Sequence, residues 1–135
     1  MVNRFLMAAS LGAAFILSTP VLAQDEPEPL RIYFQTGESA VSDEGVAVLD
    51  EAARLFRDGN PIVMIVAGGA DTVGQADYNL SLSIRRAQSV ADGLVQRGIP
   101  VGRLQVLGRG NSELPVETDE GIAEQDNRVV EISWR

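Results

Sequence analysis

Residues 62–67 read Ile62-Val63-Met64-Ile65-Val66-Ala67, apolar at every position, and Gly68-Gly69-Ala70-Asp71-Thr72-Val73-Gly74 follows at once. An unbroken apolar run is how a strand covered on both faces reads, the central kind in a mixed or parallel sheet. The glycine-rich segment is its exit loop, and bare backbone at Gly68 and Gly69 allows close approach of another group. Downstream, the pattern predicts a helix from Ala76 to Arg97, stopped by Gly98, with Leu80, Ile84, Ala87, Ala91 and Leu94 as its core stripe. Upstream, Leu30 to Phe34 alternates and predicts a half-buried strand. Ser42 is a good N-cap, and Asp43 and Glu44 suit the positive end of a helix dipole. Val41 and Val46 occupy the positions of a hydrophobic staple. Val46, Leu49, Ala53 and Phe56 form the stripe of that helix, with Gly59 as its end and Pro61 preventing its return. Leu104–Leu107 and Val129–Trp134 read as two further strands, separated by a loop rich in Gly, Pro and acids. The element order is therefore β-α-β-α-β-β.

The 135 residues imply one domain. Met1–Ala23 has a basic residue at Arg4, an apolar run from Phe5 to Leu17 and small residues in Val21-Leu22-Ala23, the layout of a cleavable signal peptide. The apolar run is shorter than the roughly 20 residues of a spanning helix, so the mature chain is expected to hold no integral membrane segment. Residues 24–29 (QDEPEP) form a short acidic linker, and residues 30–135 form the folded domain. The chain contains no Cys and no His, and its 11 basic residues are all Arg. With 19 acids the formal net charge is −8, which disfavours nucleic acid and anionic lipid as partners.

The same inventory argues against catalysis. Without His, Cys or Lys the usual activated nucleophiles and bases are absent. No thiolate metal site is possible, and the acids around Glu117, Asp119 and Glu120 lack calcium-loop spacing. Gly69 and Gly74 share spacing with the start of a phosphate-binding loop, but no Lys-Ser or Lys-Thr follows, and no GxGxxG occurs. The expectation is a protein that is not an enzyme and needs no metal or organic cofactor. The second helix is more informative. Asn79, Leu82, Ser83 and Arg86 fall at i, i+3, i+4 and i+7, a face that looks separate from the core stripe. Asp71 lies just before this helix. A carboxylate and a guanidinium at one cleft can grip a zwitterion, the first taking an ammonium and the second a carboxylate. The same two residues can equally pair with each other.

These residues resemble the OmpA-like peptidoglycan-binding domain, the type found in OmpA C-terminal, Pal and MotB proteins. The pattern G-H-T-D-x-x-G is met in part by Gly68 to Gly74, and Y-N-x-x-L-S-x-R-R-A in full by Tyr78 to Ala87. Gly98-Ile99-Pro100, Gly108-Arg109-Gly110 and Asn127-Arg128-Val129-Val130-Glu131-Ile132 look like later landmarks of the family. The resemblance covers Leu30 to Trp134. It implies an α/β (α+β) two-layer sandwich, its helices packed on one mixed four-stranded sheet. It also implies non-covalent binding of peptidoglycan, through the meso-diaminopimelate of the stem peptide, in the periplasm of a Gram-negative bacterium. By position, Asp71 and Arg86 would hold the ligand's charges, with Asn79 as a polar neighbour and Leu82 and Ser83 on the same face. Gly69 and Ala70 stand where His and Thr are usual, and Val129 replaces an Arg often found beside Arg128. The Asp71 loop is therefore expected to lack two braces, and a weakened site serving contacts with other envelope proteins is the alternative reading.

Overall fold

The computed structural model describes residues 28–135 apart from Ile62, together with Gly12 and Ala14. The signal-peptide reading of residues 1–23, most of the linker and the strand role of Ile62 lie outside the described residues. Six principal elements follow in order: β1 (Leu30–Tyr33), α1 (Asp43–Gly59), β2 (Met64–Gly68), α2 (Ala76–Gln96), β3 (Leu104–Gly108) and β4 (Val129–Trp134). The sheet order is β1-β4-β2-β3, with β2 parallel to β3 and antiparallel to β4, and β4 antiparallel to β1. The sheet is thus mixed and four-stranded, and both helices pack on one of its faces. β2 is central and buried at all its positions, as its unbroken apolar run requires.

The core lies between the sheet and the helices. Ile32, Met64, Val66, Val130 and Ile132 meet Leu49 and Ala53 of α1 and Val90 and Leu94 of α2. Full burial of each aliphatic side chain contributes about 1.5–3 kcal/mol. Ser42 caps α1, its Oγ accepting the Gly45 N–H at 3.2 Å. Two details of α1 differ from expectation. Asn60, not Gly59, adopts the left-handed conformation (φ 45°) that ends the helix, its N–H closing onto the Phe56 carbonyl; asparagine tolerates this conformation better than most residues. Val46 is 40% exposed, and the small Gly45 takes the buried place beside Ile32 and Val41.

The larger correction concerns α2. Leu80 and Ile84 are 45% and 46% exposed, whereas Asn79, Leu82, Ser83 and Arg86 are buried with Ala87, Ala91 and Leu94. The face that looks separate from the core is the face packed on the sheet. At about 100° per residue, Leu80 and Ile84 fall on its flank. Burying a polar residue is costly unless partners satisfy it, and backbone groups do so for Ser83 and Arg86. The Ser83 hydroxyl donates to the Leu80 carbonyl at 2.7 Å and accepts the Gly110 N–H at 2.8 Å. Gly68 and Gly108 admit this close approach: a β-carbon on Gly68 would collide with the Ser83 carbonyl, and one on Gly108 with Ile84.

Candidate ligand-binding site

Asp71, at the exit of β2, is 4% exposed. Its Oδ1 accepts the Val73 N–H at 3.1 Å, which turns the chain toward α2. Its Oδ2 accepts the Glu124 N–H at 3.3 Å and Arg128 Nη1 at 2.8 Å. Arg128 is buried as well, and its Nε donates to the Phe34 carbonyl at 2.9 Å. The ion-pair partner of Asp71 is therefore Arg128, a residue visible in the sequence only as a landmark fifty-odd positions downstream.

Arg86 is fully buried on α2. It donates from Nε to the Glu38 carbonyl (2.8 Å), from Nη1 to Gly69 (3.1 Å) and from Nη2 to Gln35 (3.0 Å). Its guanidinium carbon lies 5.4 Å from the centroid of the Phe34 ring, within cation–π range. Each terminal nitrogen carries two hydrogens, so each keeps a second one beyond these bonds. Burial pulls the guanidinium down from its ordinary value to about 10, while the charge of Asp71 acts to raise it and that of Arg128 to lower it. Arg86 therefore remains cationic at neutral pH.

Three loops meet here. The β1–α1 loop supplies Gln35 and Glu38, the β2–α2 loop supplies Gly69 and Asp71, and the β3–β4 segment supplies Glu124 and Arg128. Asn79 is 1% exposed, and its Nδ2 is one of two buried side-chain donors without a partner among the described residues, Trp134 Nε1 being the other. Leu82 is core, and both bonds of the Ser83 hydroxyl stay within the protein. Asp71 and Arg86 are thus both buried around one loop, Asn79 is buried on the same face of α2 as Arg86, and Leu82 and Ser83 hold α2 against the sheet. Two buried cations face one buried carboxylate, a surplus that favours an added anionic group.

The Asp71 loop, expected to lack two braces, has others. Thr72, 3% exposed, accepts the Ile122 N–H at 3.1 Å through Oγ1, and Oγ1 donates to the Asp119 carbonyl at 2.6 Å. Neither Thr72 nor Arg128 was singled out by periodicity, since their partners are some fifty residues away. Among the described residues, no group of three or more His, Cys, Asp or Glu side chains is placed to hold a metal ion, and no helix is long and apolar enough to cross a membrane.

The peptidoglycan-associated lipoprotein of Rhizobium meliloti (strain 1021) is 33% identical over 129 residues, which span 93% of this chain and 73% of that protein. Outer membrane protein A of Bordetella avium is 37% identical over 102 residues, 74% of this chain and 52% of that protein. The crystal structure of the peptidoglycan-associated lipoprotein from Burkholderia pseudomallei shares the fold, with a TM-score of 0.71 at 21% identity over 78% of this chain and 89% of that one. The cell wall anchor of the T6SS from Pseudomonas aeruginosa superposes with a TM-score of 0.64 at 29% identity, covering 78% and 79% of the two chains. The OmpA family model matches residues 33–128, and with the sheet order and the motif helix in place, the chain belongs to the OmpA family.

Proposed function

We propose that this chain is a non-catalytic module of the bacterial cell envelope that binds peptidoglycan through the meso-diaminopimelate of its stem peptides. Relatives carrying the name peptidoglycan-associated lipoprotein support the wall as partner. The observation that carries the finer reading is the convergence of Asp71, Arg86 and Arg128; the buried, partnerless Asn79 amide on the same helix as Arg86 adds a donor. The free hydrogens of Arg86 and Asn79 Nδ2 take the ligand's carboxylate, and Asp71 Oδ1, which accepts one bond, takes its ammonium. Residues 1–23 act as a cleavable export signal that delivers residues 30–135 to the periplasm. The direct experiment is sedimentation of the mature chain with insoluble peptidoglycan, with free meso-diaminopimelate and lysine as competitors. Release by diaminopimelate and not by lysine is expected; failure to sediment rejects the function.

A second reading, an interaction module for other envelope proteins, is favoured by one observation: Arg86 is fully buried and Asp71 is already paired. Recovery of an envelope protein by a chain that ignores the wall would select it.

A further inference from the structure

The groups assigned above to the ligand are all sealed from solvent, with Arg86 at 0%, Asn79 at 1% and Asp71 at 4% exposure. Something must therefore move before a ligand reaches them. The covering on the Asp71 side is the segment from Gly110 to Asn127, which has no regular structure except one short 3-10 turn. At its far end Asn127 pins Val116 by a pair of 2.8 Å bonds, Nδ2 to the Val116 carbonyl and the Val116 N–H to Oδ1. Between these points residues 118–124 are held to the β2–α2 loop through two consecutive residues, while Glu124 also accepts the Asn127 N–H at 3.1 Å and the Asp126 N–H at 3.3 Å at the strap's own end. Thr72 Oγ1 contacts Thr118 Oγ1 (3.2 Å), the Asp119 carbonyl (2.6 Å), the Ile122 carbonyl (3.3 Å) and the Ile122 N–H (3.1 Å). The Thr72 carbonyl takes the Gly121 N–H at 2.9 Å, and Asp71 Oδ2 takes the Glu124 N–H at 3.3 Å. Gly110 and Gly121, both at positive φ (56° and 78°), are places where the backbone bends without side-chain strain.

We propose that residues 118–124 form a strap latched by Thr72, and that its release is the step that opens the site. This inference rests on the peptidoglycan reading. One side-chain hydroxyl is the hub of the clasp, and a polar clasp exchanges for water at little net cost. The strap is also rich in acids and carries an exposed Ile122, so few buried apolar contacts oppose its lifting. When it lifts, Asp71 Oδ2 loses the Glu124 N–H, and the carboxylate gains room to receive an ammonium at Oδ1. The apparent affinity of the resting chain is lowered in proportion to the rarity of the open state.

The absence of cysteine permits a clean test. In Thr72→Cys/Thr118→Cys the only possible intramolecular disulfide ties the strap shut where the two hydroxyls now touch. The oxidised variant should bind insoluble peptidoglycan at least tenfold more weakly than the same molecules after reduction, with circular dichroism unchanged. Thr72→Val, latch removed, should bind more tightly than wild type. Equal binding by oxidised and reduced forms, or weaker binding by a folded Thr72→Val, overturns the strap. Amide hydrogen exchange reads the strap without any ligand: Gly121, Ile122 and Glu124 should exchange together, at least tenfold faster than Val66 and Ile132. Exchange of all five only through global unfolding also overturns it. If the wild type ignores the wall while the strap amides still open as a group, the peptidoglycan reading fails and the strap stands.

Discussion

Arg86→Met removes a charge from the interior while keeping most of the side chain's length. Three bonds to carbonyls vanish, those to Glu38, Gly69 and Gln35 at 2.8, 3.1 and 3.0 Å. A hydrogen bond from a charged donor contributes about 1.5–3 kcal/mol, so the three amount to roughly 4–9 kcal/mol. Against this stands the cost of burying the guanidinium. Its fall to about 10, net of the opposing pull of Asp71 and the push of Arg128, corresponds to about 3 kcal/mol, at about 1.4 kcal/mol per pH unit. The net loss expected for Arg86→Met is therefore about 1–6 kcal/mol, centred near 3. A domain of this size has about 5–15 kcal/mol to lose, so the variant should fold with a clearly lowered midpoint. Urea titration followed by the fluorescence of Trp134, the chain's one tryptophan and 7% exposed, measures it. Arg85→Ala, next in the chain but exposed, should stay within about 0.5 kcal/mol. A loss below about 1 kcal/mol for Arg86→Met would refute the view that Arg86 ties the β1–α1 loop to the sheet exit. If binding also vanishes in a variant that remains folded, Arg86 serves both structure and ligand.

Asp71→Asn keeps an oxygen for the Val73 N–H but leaves Arg128 without its carboxylate. The expected loss is about 3 kcal/mol, and a double-mutant cycle with Arg128→Met should give a coupling above about 1 kcal/mol; independence of the two would show that the pair contributes nothing. Gly68→Ala drives a β-carbon into the Ser83 carbonyl and should cost about 3 kcal/mol. Gly69 has no positive φ, and a β-carbon there sits 3.2 Å from the Asn127 carbonyl, so Gly69→Ala should cost about 1 kcal/mol; equal thermal shifts for the two would contradict the packing described. Because the folded-state value of Arg86, about 10, lies below the unfolded one, the unfolded chain holds the extra proton from about pH 10 upward to its own higher value. Stability contributed at this position therefore rises with pH in that window: the gap between wild type and Arg86→Met should be flat from neutral pH to about 9 and widen above about 10. Mass spectrometry of the native chain should find Gln24 at the N-terminus; a product that retains Met1–Ala23 would defeat the cleavage reading.

The fold was largely legible because burial leaves a periodic trace. The continuous apolar run of Met64–Ala67 announces a central strand, and Ser42 with Asp43 and Glu44 announces a helix start. The motif from Tyr78 to Ala87 was legible too, as a resemblance, and with it the prominence of Asp71 and Arg86. What periodicity misjudged was the rotation of α2. Hydrophobicity puts Leu80 and Ile84 inside and Arg86 outside, since an arginine is normally costly to bury. That rule fails only when the fold brings acceptors to the guanidinium, and those acceptors are backbone carbonyls of Gln35 and Glu38, about fifty residues away. Backbone groups have no sequence signature, so no reading of residue types could have found them. The pairing of Asp71 with Arg128 was hidden for a related reason. It depends on β4 lying beside β2 in the sheet, and strand order is decided by how the whole chain buries its apolar faces, not by any local pattern.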